Sequence, residues 1–383
     1  MQSVSGIKST HREQFQAEGA VFVAPGRVNL IGEHTDYSEG FVMPAAIEFA
    51  TLAAVSARSD NQVVIYSQNF DERVEYDAGE VPVTGRHHWT DYPLGVLTIL
   101  RRSGIEVPPF SLTINGDVPL GSGLSSSASL EVATMLALLS LTSAIFPLQE
   151  IARLCQRVEN EYVGAQSGIM DQFVSCCGAA GHALLLDCRD LAFRLAPIPE
   201  HVSIVICNTM VKHSIAGGDY NTRRAEIEAG ADIIRQHRPE VRVMRDVTVE
   251  DLARWGSEMP ANVLKRCRHV VTENLRTVGA ADALESGDLK TLGRLMAEAH
   301  ASYRDDFEAS CKEADILVEL AAKQRGLIGA RLTGGGFGGC TVNLVEAPEA
   351  GQFADAMKNG YLEATGIQSE VYLTKASAGA HAI

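Results

Sequence analysis

No two of the eight cysteines (Cys155, Cys176, Cys177, Cys188, Cys207, Cys267, Cys311, Cys340) form a CxxC pair, and most lie in apolar stretches. This argues against a zinc ribbon or a disulfide framework and for buried thiols in a reducing compartment. No run of Lys and Arg could neutralise a row of phosphates, and the formal net charge is −15. Nucleic acid and anionic membranes are therefore excluded as expected partners. The first residues lack the apolar core of a signal peptide, and the greasiest stretch, Val132 to Phe146, is broken by Thr and Ser. It reads as a buried helix, not a membrane span, and a cytoplasmic location is expected. Repeats, low-complexity tracts and long linkers are also missing. Nothing calls for an obligate protein partner.

What is present is ample material for folded cores: 46% hydrophobic and 21% charged residues. A chain of 383 residues exceeds what one core usually holds but is short for three domains, so two are expected. Apolar alternation and β-branched runs predict strands at Gly19–Val23, Phe41–Val55, Gln62–Gln68 and Phe110–Ile114. Strong helices are expected after Gly123 and after Leu148. Past Asp187-Cys-Arg-Asp190 a strand at Val202–Cys207 leads into helical patterns at Tyr220–Gln236, Val263–Val278, Leu289–Ala299 and Glu313–Lys323. Strands at Ala330–Leu332 and Thr341–Val345 follow. The class is α+β, with a boundary near residue 195 separating 1–195 from 196–383.

Between the strand Phe110–Ile114 and the next helix lies Pro119-Leu-Gly-Ser-Gly-Leu-Ser-Ser-Ser-Ala-Ser-Leu-Glu131. Strand, Gly/Ser loop and helix together aim free backbone N–H groups and the helix dipole at an anion. Gly121 and Gly123 allow close approach, and Ser125, Ser126 and Ser127 add hydroxyls for phosphate or a hard cation. A nucleoside triphosphate fits. The loop is not a Walker A sequence, because no Lys follows the glycines. The competing reading is plain helix capping.

A second segment, Gly26-Arg-Val-Asn-Leu-Ile-Gly-Glu-His-Thr-Asp-Tyr37, crowds Arg27, Asn29, Glu33, His34 and Asp36 around Gly32. That density of directed donors and acceptors suits a polyhydroxylated ligand. The alternative is a solvated polar loop, which the flanking apolar strands weaken. Glu33-His34-x-Asp36 has neither HExxH spacing nor cysteines nearby for zinc.

In the third segment, Ile151, Leu154, Cys155, Val158 and Tyr162 mark one helix face, with Glu159 beside it. Gly164 is expected to end that helix and Ser167 to cap the next, which puts Asp171 in its first turn. Asp171 also fits as an ordinary first-turn residue. The fourth, Gly334-Gly-Gly-Phe-Gly-Gly339, matches GxGxxG in form but precedes a strand, so the dinucleotide reading fails. Its five glycines suggest a loop pressed on another loop or a ligand; a bare hairpin is the plainer alternative.

In this order, the four segments resemble the galactokinase family, within the GHMP kinase superfamily of galactokinase, homoserine, mevalonate and phosphomevalonate kinases. The resemblance spans nearly the whole chain. It implies a two-domain fold, with an N-terminal domain like ribosomal protein S5 domain 2, a ferredoxin-like C-terminal domain, and the active site between them. It also implies transfer of the ATP γ-phosphoryl group to the C1 hydroxyl of galactose, with Mg²⁺ held by Ser127 and Glu159. Gly121, Ser122, Gly123, Leu124, Ser125, Ser126 and Ser127 would cradle the phosphates, and Trp89 and Tyr92 would line the adenine pocket. Glu33, His34, Thr35, Asp36, Gly168 and Tyr220 would contact the sugar, with Asp171 and Arg27 at the reacting hydroxyl.

Departures from the family pattern are small. Ser38 stands where Asn is frequent, Ser122 is one of several residues accepted between the loop glycines, and Ser167 replaces a frequent Cys. Two rivals are a non-catalytic sugar sensor, which by resemblance lacks residues after the serine run, and a sister kinase for another sugar such as N-acetylgalactosamine. Ser127-Ala128 argues against the first, and the run Glu33 to Tyr37 argues against the second by its resemblance to the family alone.

Overall fold

A strand covered on both faces loses its alternation and becomes a continuous apolar run. β1 (Ala20–Ile31) is such a strand, buried without a break from Ala24 onward. The computed structural model describes residues 4–212 and 216–383, the side chains of 212–219 apart. In it β1 pairs antiparallel with β2 (Phe41–Ala57), a 17-residue strand. Pro44 of β2 sits at a register irregularity opposite Asn29, where a missing N–H costs least.

β3 (Gln62–Ser67), β4 (Glu72–Asp77) and β5 (Phe110–Gly116) extend this sheet; among the described residues only β3 and β5 pair in parallel. β6 (His182–Asp187) joins the start of β2 and is paired in turn by β7 (Phe193–Pro197). A second, antiparallel sheet has β8 (Val202–Lys212) and β10 (Gly338–Glu346) at its centre, flanked by β11 (Glu370–Thr374) and β9 (Leu327–Thr333). After β11 the chain returns to the first sheet, where β12 (His381–Ala382) pairs with β1.

Helices α1 (Val4–Phe15), α2 (Asp91–Arg102), α3 (Ser126–Leu139), α4 (Leu148–Arg157) and α5 (Met170–Cys177) belong to the first half. Val132, Leu138, Phe110 and Phe173 anchor the core between that sheet and α2–α5. α6 (Ala216–Arg235), α7 (Val249–Trp255), α8 (Ala261–Glu285), α9 (Leu289–Asp305), α10 (Lys312–Ala321) and α11 (Ala350–Thr365) follow. One core joins the halves, with Val28, Leu30 and Met43 packed together with Ile204, Val342, Leu284 and Met296. Among the described residues no helix is long and apolar enough to cross a membrane.

Several elements, among them α1, α2, α7, α11 and β4, escape the sequence patterns, and one cap differs. α2 escapes them because Pro93 and Gly95 interrupt it; Pro93 falls in the first turn, where its missing N–H is harmless. A Cβ on Gly95 would lie 2.6 Å from Val158, so glycine lets the turn that continues α4 pack close. Ser167 does not cap α5, which begins at Met170 after Ile169. Its hydroxyl donates instead to Glu159, which offers a stronger, charged acceptor. Glu159 itself lies on a π-helical turn, Val158–Val163, that continues α4 and ends at Gly164 with φ 89°.

Candidate active site

Arg27 emerges from the interior of β1, only 5% exposed, so its charge needs partners. Its Nε and Nη2 donate to Asp171 Oδ1 and Oδ2, both at 2.8 Å, and Nη1 donates to the Gly123 carbonyl. The Arg27 N–H donates to Leu124 O at 3.1 Å. A Cβ on Gly26 would fall 2.7 Å from the same carbonyl, so the strand lies directly against the Gly/Ser loop. Asp171 stands in the first turn of α5, where the dipole favours a carboxylate.

The loop Gly121–Ser127 presents backbone more than side chain. Ser122 and Leu124 are buried, and the Ser122 hydroxyl donates to Pro119 O at 2.6 Å. Gly121 and Gly123 are exposed. Ser125, at φ 60°, leaves the α3 N-terminus uncapped and donates its hydroxyl to Asp171. Ser127 donates to Glu159 Oε1 at 2.8 Å. Burial pushes the Glu159 carboxyl up, against the two hydroxyl donors that favour its charge.

The segment after β1 turns sharply at Gly32 (φ 100°) and His34 (φ 60°). Glu33, 2% exposed, accepts from Gly334 N at 2.8 Å and from Arg331 Nη1 at 3.3 Å, both on Oε1. Burial raises its pKa, while Arg331 and Arg27 oppose the rise. His34 sits 3.1 Å from the Tyr37 hydroxyl and 2.9 Å from that of Tyr303, its ring 4.4 Å from the Phe307 ring. Burial holds it down to about 3, so the imidazole is neutral at physiological pH. Asp36 accepts from Tyr37 N at 3.0 Å and is pushed up to about 6 by burial and by Asp171. Burial likewise raises the phenols of Tyr37, Tyr220 and Tyr303, leaving them neutral hydrogen-bonding groups.

Several of these groups wall a cavity of about 500 Å³. Arg27, Glu33, His34 and Asp36 come from one segment, Gly168 and Asp171 from another, and Tyr220 from α6. Gly334, Gly335 and Gly336 close it from the C-terminal half. That loop also leans on the Gly/Ser loop, because Cβ atoms at Gly334 and Gly339 would each lie 3.2 Å from a backbone oxygen, of Gly123 and Ser122. Asn29 and Thr333 tie β1 to the loop's start through two backbone to hydroxyl bonds of 3.0 Å.

Other residues singled out from the sequence stand elsewhere. Thr35 is buried and outside the cavity wall, its hydroxyl turned to the carbonyls of Phe41 (2.6 Å) and Gly32 (3.0 Å). Trp89 stacks on Phe70 and donates to Glu72 at 2.6 Å; Tyr92, pushed up to about 12 by burial, lies near Glu159 and Glu131. Sequence patterns did not single out Asn221 on the wall, or Tyr303, Glu273 and Arg331 behind it. Nothing local distinguishes those three from ordinary helix and strand residues.

Residues 9–57 match the galactokinase galactose-binding signature, 91–179 the GHMP kinases N terminal domain and 280–362 the GHMP kinases C terminal. The galactokinase of Chloroflexus aggregans is 45% identical over 356 residues, covering 93% of this chain and 91% of its own. That of Roseiflexus sp. (strain RS-1) is 42% identical over 373 residues, covering 96% and 95%. The crystal structure of Lactococcus lactis galactokinase complexed with galactose aligns with a TM-score of 0.94 at 36% identity, over 99% of each chain.

Proposed function

The chain belongs to the galactokinase family of the GHMP kinases, and on that footing we propose how its cavity performs the reaction. The enzyme transfers the γ-phosphoryl group of ATP to the C1 hydroxyl of D-galactose, giving galactose 1-phosphate and ADP. The fold is the two-domain α+β fold of these kinases. The observation that carries the site reading is the fork from Arg27 to Asp171, because it stands where the sugar-sized cavity meets the Gly/Ser loop. Asp171 orients the C1 hydroxyl and takes its proton late, since a loose transition state needs no strong base. Arg27, bonded to Gly123 of the loop, bears on the charge of the transferring group.

Glu33, Asp36, neutral His34 and Tyr220 direct hydrogen bonds to the sugar, with Gly168 as its floor. Thr35 serves the sugar only by holding that turn. The backbone of Gly121 to Ser127 cradles the phosphates, and Trp89 with Tyr92 marks the adenine side. Ser127 and Glu159 suit Mg²⁺: two hard oxygen donors 2.8 Å apart, beside an anion-binding helix start. Among the described residues no group of three or more His, Cys, Asp or Glu is placed to hold a metal. Two protein oxygens suffice where phosphates and water complete the shell. Bound there, Mg²⁺ would neutralise phosphate charge. The eight free cysteines fit a cytoplasmic location.

An ADP-release assay over galactose, N-acetylgalactosamine, glucose, 4-deoxygalactose, homoserine and mevalonate tests this reading. Galactose and glucose differ only at the 4-hydroxyl, so paired polar groups must separate them, by roughly four to five orders of magnitude. The Asp36→Ala variant is expected to lose at least about a hundredfold in kcat/KM for galactose with ATP binding intact. Near-equal use of glucose or 4-deoxygalactose by the wild type would refute the sugar contacts.

A further inference from the structure

Arg331 is a fully buried arginine, 0% exposed, inside β9. Nothing in the transfer chemistry requires it. Its guanidinium lies between two carboxylates, Nη1 3.3 Å from Glu33 Oε1 and Nη2 3.9 Å from Glu273 Oε1. Each glutamate also accepts a backbone N–H from a segment at the cavity, Glu33 from Gly334 and Glu273 from Gly32, the latter at 2.9 Å. Tyr303, whose ring centroid is 6.0 Å from the guanidinium carbon, donates to Gly334 O at 3.0 Å and meets His34 Nε2. The cation therefore bonds the carboxylate that joins the sugar segment to Gly334 and lies beside Tyr303, while His34 also meets the Gly335 carbonyl directly at 3.3 Å.

We propose that Arg331 is a positioning residue for the sugar, holding Glu33 in one orientation and ionised so that its second carboxylate oxygen serves the ligand. The hydrogen bonds from Arg331 and Gly334 both fall on Oε1, the Asn29 side chain also bears on this carboxyl, and Glu33 lines the cavity wall. A guanidinium suits this task because its planar fork reaches two carboxylates at once, which an ammonium cannot do with the same geometry. The charge matters as much as the fork. Glu33 is buried beside Asp36, Asn29, Arg27 and Tyr303, and of the groups that oppose its protonation, Arg331 acts most strongly, ahead of Arg27, the Gly334 N–H and the Asn29 side chain.

The inference rests on Glu33 facing the sugar, so the experiment separates the two. Steady-state kinetics and calorimetric galactose binding are measured for Arg331→Lys, Arg331→Met, Glu33→Gln and the Glu33→Gln/Arg331→Lys double variant. Arg331→Lys keeps the buried charge and is expected to fold, with the galactose KM and Kd raised by about tenfold or more. Its kcat and ATP KM should stay within about threefold, a split that a general loss of structure would not produce. In Arg331→Met the kcat/KM profile for galactose should gain an acid limb of Glu33, separate from that of Asp36 and still present in the Asp36→Asn background, because Glu33 loses its main counter-charge. Adding Arg331→Lys to Glu33→Gln should cost little more than Glu33→Gln alone. Unchanged galactose affinity in Arg331→Lys overturns the inference, even if Arg331→Met does not fold. Unchanged affinity in Glu33→Gln overturns the placement of Glu33 at the sugar, and the inference with it.

Discussion

Gly168 and Asp36 share a boundary with no room for a methyl group: a Cβ at 168 would fall 1.8 Å from Asp36 Oδ2. The glycine is required by this neighbour, since its φ lies outside the left-handed region. Gly168→Ala should therefore push the Asp36 carboxylate out of the cavity wall. The expected result is a galactose KM raised by about tenfold or more, with the ATP KM little changed, because one charged contact to a hydroxyl is lost or weakened. Parallel titrations of the two substrates check it, and an equal rise in both KM values would mean a general disturbance.

Asp171 accepts from Arg27 and Ser125 while facing the cavity. Asp171→Asn keeps the shape but cannot take a proton, so kcat should fall by roughly a hundredfold or more while galactose binding changes little. Calorimetric galactose binding alongside single-turnover rates separates the two effects. A near-normal rate would make the ion pair purely structural.

Glu159→Gln addresses the cation. If Ser127 and Glu159 hold Mg²⁺, the amide should weaken Mg²⁺ activation and lower the rate together. The Mg²⁺ concentration giving half-maximal activity is read directly, with Mn²⁺ as a second titrant. Identical titration curves for variant and wild type would remove Glu159 from the metal site.

Asp36 is pushed up to about 6, chiefly by burial and then by the nearby Asp171. A carboxylate accepts hydrogen bonds in its deprotonated form, so kcat/KM for galactose should be full above that pH and decline as the pH falls through about 6. The same shift has the opposite sign for stability. A folded-state pKa above the unfolded one means the folded protein binds the proton more readily, so this group favours the fold as the pH drops from about 6 toward the ordinary Asp range. A pH profile of kcat/KM in Asp36→Asn should lack that limb. If the wild type shows none above about pH 5, the site is wetter than its geometry indicates.

Much of this arrangement is legible from the chain because loops and helix starts depend on near neighbours. The Gly/Ser loop before α3, the turn at Gly32 and the first-turn place of Asp171 all follow from residue types within a few positions. Most of the long helices and most strands follow from periodic burial in the same way, α11 being an exception. Local spacing even assembles Glu33, His34 and Asp36 in one segment, which is why the polar crowding pointed to a sugar.

Who meets whom was decided only by the tertiary structure. Arg27 and Asp171 are 144 residues apart, and Glu33 and Arg331 298 apart; each pair exists because a charge buried by packing must find its counter-charge wherever the fold delivers one. Thr35 and Ser167 make the same point in reverse. The family resemblance implied a sugar contact for Thr35 and local sequence a helix cap for Ser167, but the acceptors their hydroxyls meet after folding are backbone carbonyls for one and Glu159 for the other. The sequence by itself thus determined which segments could carry the chemistry, and the packing of the two halves around one shared core decided which side chains of those segments face the cavity.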